Sequence, residues 1–198
     1  AVVDDGLAMS PELLLEAMRP GTRNPLETRS KDDLGRFGLG LKTASFSQCR
    51  RLTVLSRQGG IESAARWDLD HVALTDRWTL LRPSGSEVEA LPSVDMLGPS
   101  GTLVLWESID RIEFDGRDER GHQQLNEQMA VVTEHIARVF HRFIDGERAL
   151  PKVAIRVNMA EVQAFDPFNA RNAATQVLQE ERVVTNVDAD RKLTHLLR

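Results

Sequence analysis

The sequence predicts an α/β fold, a two-layer sandwich with helices packed on one face of a sheet. Three observations predict it. Short apolar runs at 51–57, 61–69 and 102–106 read as strands. Residues 122–144 repeat apolar side chains every three or four positions, as one face of a long helix does. The order strand–helix–loop–helix–strands–helix–strands then fits helices laid over a sheet. At 198 residues the chain has room for one large domain or two small ones.

The elements follow in order. Ala1-Val2-Val3 reads as the end of a buried strand that runs into the turn Asp4-Asp5-Gly6. Because the chain opens there and not at a Met, it is expected to be a piece cut from a longer protein. Ser10 is placed to cap a helix over 11–18, with Pro11 at its first position and Pro20-Gly21 after its end. Residues 20–34 read as a long polar loop, a length typical of lids and binding loops. A glycine cluster, Gly35 to Gly40, opens a second helix that reaches about Gln48. Gly59-Gly60 joins strands 51–57 and 61–69 as a hairpin. Residues 77–82 are expected to form a further strand, and 83–100, with Pro83, Pro92 and Pro99, a loop. After the strand at 102–106, residues 113–121 read as a turn. The helix at 122–144 carries Leu125, Met129, Val132, Ile136, Val139 and Phe143 on its apolar stripe. Strands are expected at 152–157 and near 161–165, and the last thirty residues are weakly patterned.

Composition excludes several classes. Hydrophobic residues make up 41% and charged residues 28%, which rules out a long disordered chain. The net charge of −5 argues against a general nucleic-acid coat and a polybasic membrane binder. The charge is uneven, however. Residues 19–57 carry nine Lys or Arg against three acids, a basic segment suited to a polyanionic ligand on an otherwise acidic body. No apolar run approaches the roughly 20 residues that span a bilayer. With a single cysteine, Cys49, the chain cannot form an internal disulfide, and a cytoplasmic location is expected. His135 and His141 stand six apart and miss the spacing of a helical metal site. Trp67, Trp78 and Trp106 fall in strand-like segments, which favours core or sheet-surface roles over base stacking.

Three segments carry chemistry. The first is Asp4-Asp5-Gly6-Leu7-Ala8-Met9 at a strand end. A carboxylate fixed there can accept a hydrogen bond from an exocyclic amine such as that of adenine. Gly6 leaves room for a flat ring, and Met9 can pack on it. The second is Gly35-x-x-Gly38-x-Gly40-Leu41-Lys42. Glycine amides and a helix N-terminus can converge on phosphate, and Lys42 adds a full positive charge. It is neither a P-loop nor a dinucleotide fingerprint, because Lys42 follows Leu41 and the glycine offsets differ. The third is Gly101-Thr102 entering the strand 102–106. Each box also has a plain structural reading: a turn before a helix, a tight glycine loop, an ordinary strand start.

Taken together and in this order, the three boxes resemble the GHKL ATPase superfamily, which includes DNA gyrase B, the large heat-shock chaperones, sensor histidine kinases and MutL. The resemblance covers residues 1–106. It implies a Bergerat-type sandwich with a mixed, mostly antiparallel sheet, ATP as ligand and Mg2+ as its companion ion. It implies that Asp4 binds the adenine amine, with Gly6 and Thr102 beside it and Ala8 and Met9 lining the base. It further implies that Gly35, Phe37, Gly38, Gly40, Leu41 and Lys42 close over the phosphates, with residues 19–34 as the lid. An ATP-binding domain is expected over 1–145, lacking its first helix, and a following segment or extension over 146–198.

The gap of 61 residues from Gly40 to Gly101 is longer than histidine kinases use and resembles the chaperone, MutL and MORC-like branches. Phe37, the segment 38–48 and the stretch Val162–Phe168 are most similar to MORC-like and bacterial chaperone-like proteins. Asp5 stands where Asn is common in the family, and Ala8 where Gly is frequent. The hydrolytic Glu and the magnesium-binding Asn of the family precede the Asp-x-Gly box, so no residue of this chain inherits either role. The expectation is an ATPase as the full-length protein, poorly active or inactive as this chain alone. ATP would close the lid and gate homodimerisation or partner binding, with nucleic acid as a partner of the full-length protein. Two alternatives stand beside it: the catalytic domain of a histidine kinase, and a nucleotide-gated interaction module that does not hydrolyse.

Overall fold

The computed structural model describes residues 1–19, 39–110, 119–147, 150–170, 172–176, 181–188 and 191–197. They fall into two units, 1–113 and 114–198. Among the described residues, no helix is long and apolar enough to cross a membrane.

The first unit begins with β1 (Val2–Asp4) and α1 (Pro11–Met18). Ser10 caps α1 as expected: its Oγ accepts the Leu13 amide at 3.2 Å, and Pro11 follows where no amide bond is lost. Then come α2 (Gly40–Phe46), β2 (Cys49–Gln58) and β3 (Ile61–Asp68). The β2–β3 hairpin turns on Gly59 and Gly60, with φ of 59° and 81°, the left-handed pair that matches strand twist.

A helix absent from the sequence reading follows, α3 (Leu69–Thr75). Asp68 caps it, accepting the Asp70 and His71 amides. Residues 77–82 are not the expected strand. They make one bridge, Arg66 to Leu81, through two 2.9 Å hydrogen bonds. The expected loop at 83–100 contains α4 (Gly85–Glu89) and a 3-10 turn at Val94–Met96. A capping box explains α4, because the Ser84 side chain and Glu87 satisfy each other's backbone amides. β4 (Gly101–Ile109) ends the unit.

The sheet order is β1-β4-β2-β3, every pair antiparallel. Side chains alternate between two faces. Leu52, Val54, Ala65 and Trp67 meet Leu14 and Met18 of α1, with Leu41 and Phe46 of α2 at the margin. Leu55, Leu103 and Leu105 point the other way and meet Val88, Leu91 and Leu97 of the 84–97 segment. The unit is therefore an α+β sandwich on a four-stranded antiparallel sheet, as predicted. Helices therefore lie on both faces, α4 joining the one opposite α1 and α2, and the face under α1 and α2 holds the candidate site.

The second unit holds α5 (Glu119–Val139) and α6 (His141–Asp145). The single helix expected over 122–144 is thus two. Phe140 departs from helical geometry between them, and the Phe143 and Ile144 amides both bond its carbonyl. On the expected stripe, Val132 and Val139 are exposed. The strand expected at 152–157 shrinks to β5 (Arg156–Val157), paired with β6 (Ala160–Glu161). The weakly patterned C-terminus forms an antiparallel hairpin, β7 (Glu181–Asp188) with β8 (Arg191–Leu197), irregular between Asn186 and Asp188.

Candidate functional site

One rung of the sheet collects polar residues on the face under α1 and α2. Asp4 pairs with Thr102, Thr102's strand places it opposite Ser56, and Ser56 pairs with Ser63. Residues opposite one another across strands share a face. This row lies two positions along from Val54, Ala65 and Val104, which pack under the helices. Ser56 is fully buried and Thr102 nearly so, whereas Asp4 is exposed at the open end of the row. The Ser63 hydroxyl is buried and has no hydrogen-bond partner among the described residues.

The turn after β1 is tied down on three sides. Asp4 Oδ1 accepts the Gly6 amide at 2.9 Å. Ser100 Oγ donates to the Gly6 carbonyl at 2.8 Å. The Met9 amide donates to Ser56 Oγ at 2.7 Å, and Gln58 Nε2 donates to the carbonyls of Leu7 and Ala8. These bonds hold Asp4 at the mouth of the row and fold Met9 against the helix-side core. The turn is tight at Gly6, where a Cβ would stand 3.0 Å from Asp4 Oδ1 and push that carboxylate aside by a few tenths of an ångström. Ala8 carries a φ of 60°, a left-handed geometry that glycine adopts without strain.

Sequence reasoning missed Ser56, Gln58 and Ser100 as supports of this turn. A signal existed for Ser56. In the alternation Leu52, Val54, Ser56, a hydroxyl takes a core position, and a buried hydroxyl needs a partner.

The second box is reached in part. Gly35, Phe37 and Gly38 lie outside the described residues, as do residues 20–34 of the expected lid. Gly40 and Leu41 open α2, and beyond its own helix backbone and chain neighbours no described residue comes within 4 Å of a Cβ placed on Gly40. Lys42 is buried, and its Nζ donates to the Ala17 carbonyl at 2.7 Å. That oxygen lies in the last turn of α1, where the helix dipole favours a cation. Burial pushes the Lys42 ammonium below the ordinary lysine range. Ser45 locks α2 to the sheet: its Oγ donates to Leu41 O and accepts Trp106 Nε1 at 2.8 Å.

Asp4 stands opposite the Thr102 hydroxyl in the sheet, beside the turn at Gly6. A carboxylate and a hydroxyl side by side can meet the polar edge of a flat heterocycle. Among the described residues, no group of three or more His, Cys, Asp or Glu could hold a metal ion, so no residue here is assigned to magnesium.

A family model described as "Histidine kinase-, DNA gyrase B-, and HSP90-like ATPase" matches residues 1–101. A search of curated proteins found no match.

Proposed function

The chain belongs to the histidine kinase-, DNA gyrase B- and HSP90-like ATPase family, and on that premise we propose how its own residues hold ATP. Asp4 accepts the adenine amine, and Thr102, paired with it in the sheet, completes the polar edge. Gly6 lets the ring approach the backbone, and Ala8 and Met9 line it. The reading rests on one observation above the rest. Asp4 and Thr102 stand opposite each other on the face under α1 and α2, at the end of a buried hydroxyl row.

Gly40, Leu41 and Lys42 face the phosphates in this reading, together with Gly35, Phe37 and Gly38. For Lys42 that means exchanging the Ala17 carbonyl for a phosphate oxygen. Residues 19–34 serve as a lid whose closure gates homodimerisation or partner binding. Among branches of the family we favour the MORC-like and chaperone-like ones, supported by residues 38–48 and the 61-residue gap to Gly101. No residue is assigned as general base.

The test is calorimetric titration of the wild type and Asp4→Asn with ATP, adenosine and inorganic tripolyphosphate. A hydrogen bond to a charged group contributes about 1.5–3 kcal/mol. Asp4→Asn should therefore weaken ATP and adenosine roughly 10- to 100-fold and leave tripolyphosphate unchanged. Equal loss of ATP and tripolyphosphate would contradict the assignment.

A further inference from the structure

At the opposite edge of the sheet from Asp4 lies a crevice of about 500 Å³, lined by Leu15, Arg19, Trp67, Trp78, Leu80 and Arg82. Its walls are built. Trp67 is buried and fixed by its Nε1 bond to the Met18 carbonyl at 2.9 Å. Trp78 meets it edge to face, centroids 5.8 Å apart at 66°. The double hydrogen bond between Arg66 and Leu81 ties this stretch to β3. Yet Trp78 remains 69% exposed, a large aromatic surface turned to solvent.

The charge at the crevice is one-sided. Arg50, Arg51, Arg57 and Arg66 of the same sheet each pair with a carboxylate. Among the described residues, Arg19 and Arg82 make no ion pair or side-chain hydrogen bond, and none of those that line the crevice is an acid. An apolar, aromatic wall flanked by two guanidinium groups that no described carboxylate neutralises is complementary to a flat ring that bears a negative charge. The volume suits one or two fused rings with an acidic group. We propose that this crevice, at the sheet edge opposite Asp4, is a second ligand site that takes a planar aromatic acid.

The probe is indole-3-acetate, compared with neutral tryptophol and cationic tryptamine. The readout is the set of tryptophan indole Nε1–H signals in two-dimensional NMR, to which Trp67, Trp78 and Trp106 contribute. Indole-3-acetate should shift the Trp67 and Trp78 signals saturably, with a Kd of about 1 mM or tighter, and leave Trp106 in place. Tryptophol and tryptamine should bind at least about tenfold more weakly. Trp78→Ala should abolish the Trp67 shift, and an unmoved Trp106 signal will show that the sheet is intact. Arg19→Gln with Arg82→Gln should remove the preference for the acid over tryptophol. Adenosine should leave the acid's affinity unchanged. The proposal is overturned by no saturation up to about 10 mM. It is equally overturned by equal binding of tryptophol, by affinity unaltered in Trp78→Ala, or by displacement with adenosine.

Discussion

Gly101 lies so close to Asp4 that a Cβ built on it would stand 2.0 Å from the Asp4 carbonyl oxygen. Its φ of 139° is also one that L side chains rarely adopt. The first residue of β4 is thus a glycine for two independent reasons, and both serve to bring Thr102 level with Asp4. Gly101→Ala should cost more than about 3 kcal/mol in urea unfolding, because neither obstacle is a flexible side chain. Adenosine binding should fall with it, measured below the unfolding transition. Unfolding within about 0.5 kcal/mol of wild type would show that the strands separate easily.

Ala8 supplies the opposite case. Its φ of 60° places an L residue in left-handed geometry. That geometry costs about 1–2 kcal/mol, while glycine's extra freedom when unfolded costs about 0.4–1 kcal/mol. Ala8→Gly should therefore stabilise the chain by a net 0.5–1 kcal/mol or so in the same unfolding assay. Adenosine affinity should hold or rise, since a methyl is removed near the proposed base.

The order of helices and central strands was legible because its signals are local. Ser10 before Pro11 and Gly59-Gly60 between apolar runs each mark an end. The misses arose where a partner distant in sequence, or a polar cap, decides the state. Residues 77–82 alternate like a strand, but only Leu81 finds an edge to bridge. The proline-rich 83–100 segment hides the Ser84–Glu87 box that starts α4. The helix at 69–75 depends on Asp68, which looked like the end of a strand and is also the cap of a helix. Asp4 and Thr102 are candidates by their motifs, and the sheet sets them opposite each other. Ser56, Gln58 and Ser100 were not legible, since their roles arise from bonds to residues 6–9, brought near by the sheet.

Asp68 joins three elements, and its ionisation should be visible in acid. Burial pushes its carboxyl up, but bonds from the Arg51 guanidinium at 2.8 Å and from the His71 and Asp70 amides outweigh it. The net value lies below the ordinary carboxylate range. A depressed carboxylate stabilises above its unfolded value, and that stability is lost as pH falls through its folded value. Asp68→Asn should cost about 1–3 kcal/mol at pH 7. It should also flatten the fall in stability below about pH 4. An acid limb as steep as the wild type's would exclude Asp68 as a contributor.

Cys49 should act at the alkaline end. Burial, with smaller contributions from Asp110 and Glu107, raises its thiol above the ordinary range, against the pull of two backbone bonds. The folded state then keeps a proton that the unfolded state releases. Stability from this group is complete below the unfolded value, about 8.5, and declines as pH rises past it. Cys49→Ala should remove that decline in unfolding measured from pH 7 to 10, a range set by the thiol's ordinary value of about 8.5.

Lys42 works in the other direction, and its two possible duties can be separated. Its ammonium is buried against Ala17 O, and burial lowers its pKa. The unfolded chain therefore holds this proton to a higher pH than the folded chain does. The cost of burying the charge is present at neutral pH and is relieved as pH rises toward the ordinary lysine value, about 10.4. Lys42→Met should remove this alkaline relief, so that stability no longer rises between neutral pH and about 10. If Lys42 also turns to phosphate, the same variant should lose about tenfold or more in ATP affinity and keep its adenosine affinity. If it only anchors the end of α1, ATP and adenosine affinities should move together. Calorimetric titration of both ligands, beside unfolding of the same protein, decides which duty the ammonium has.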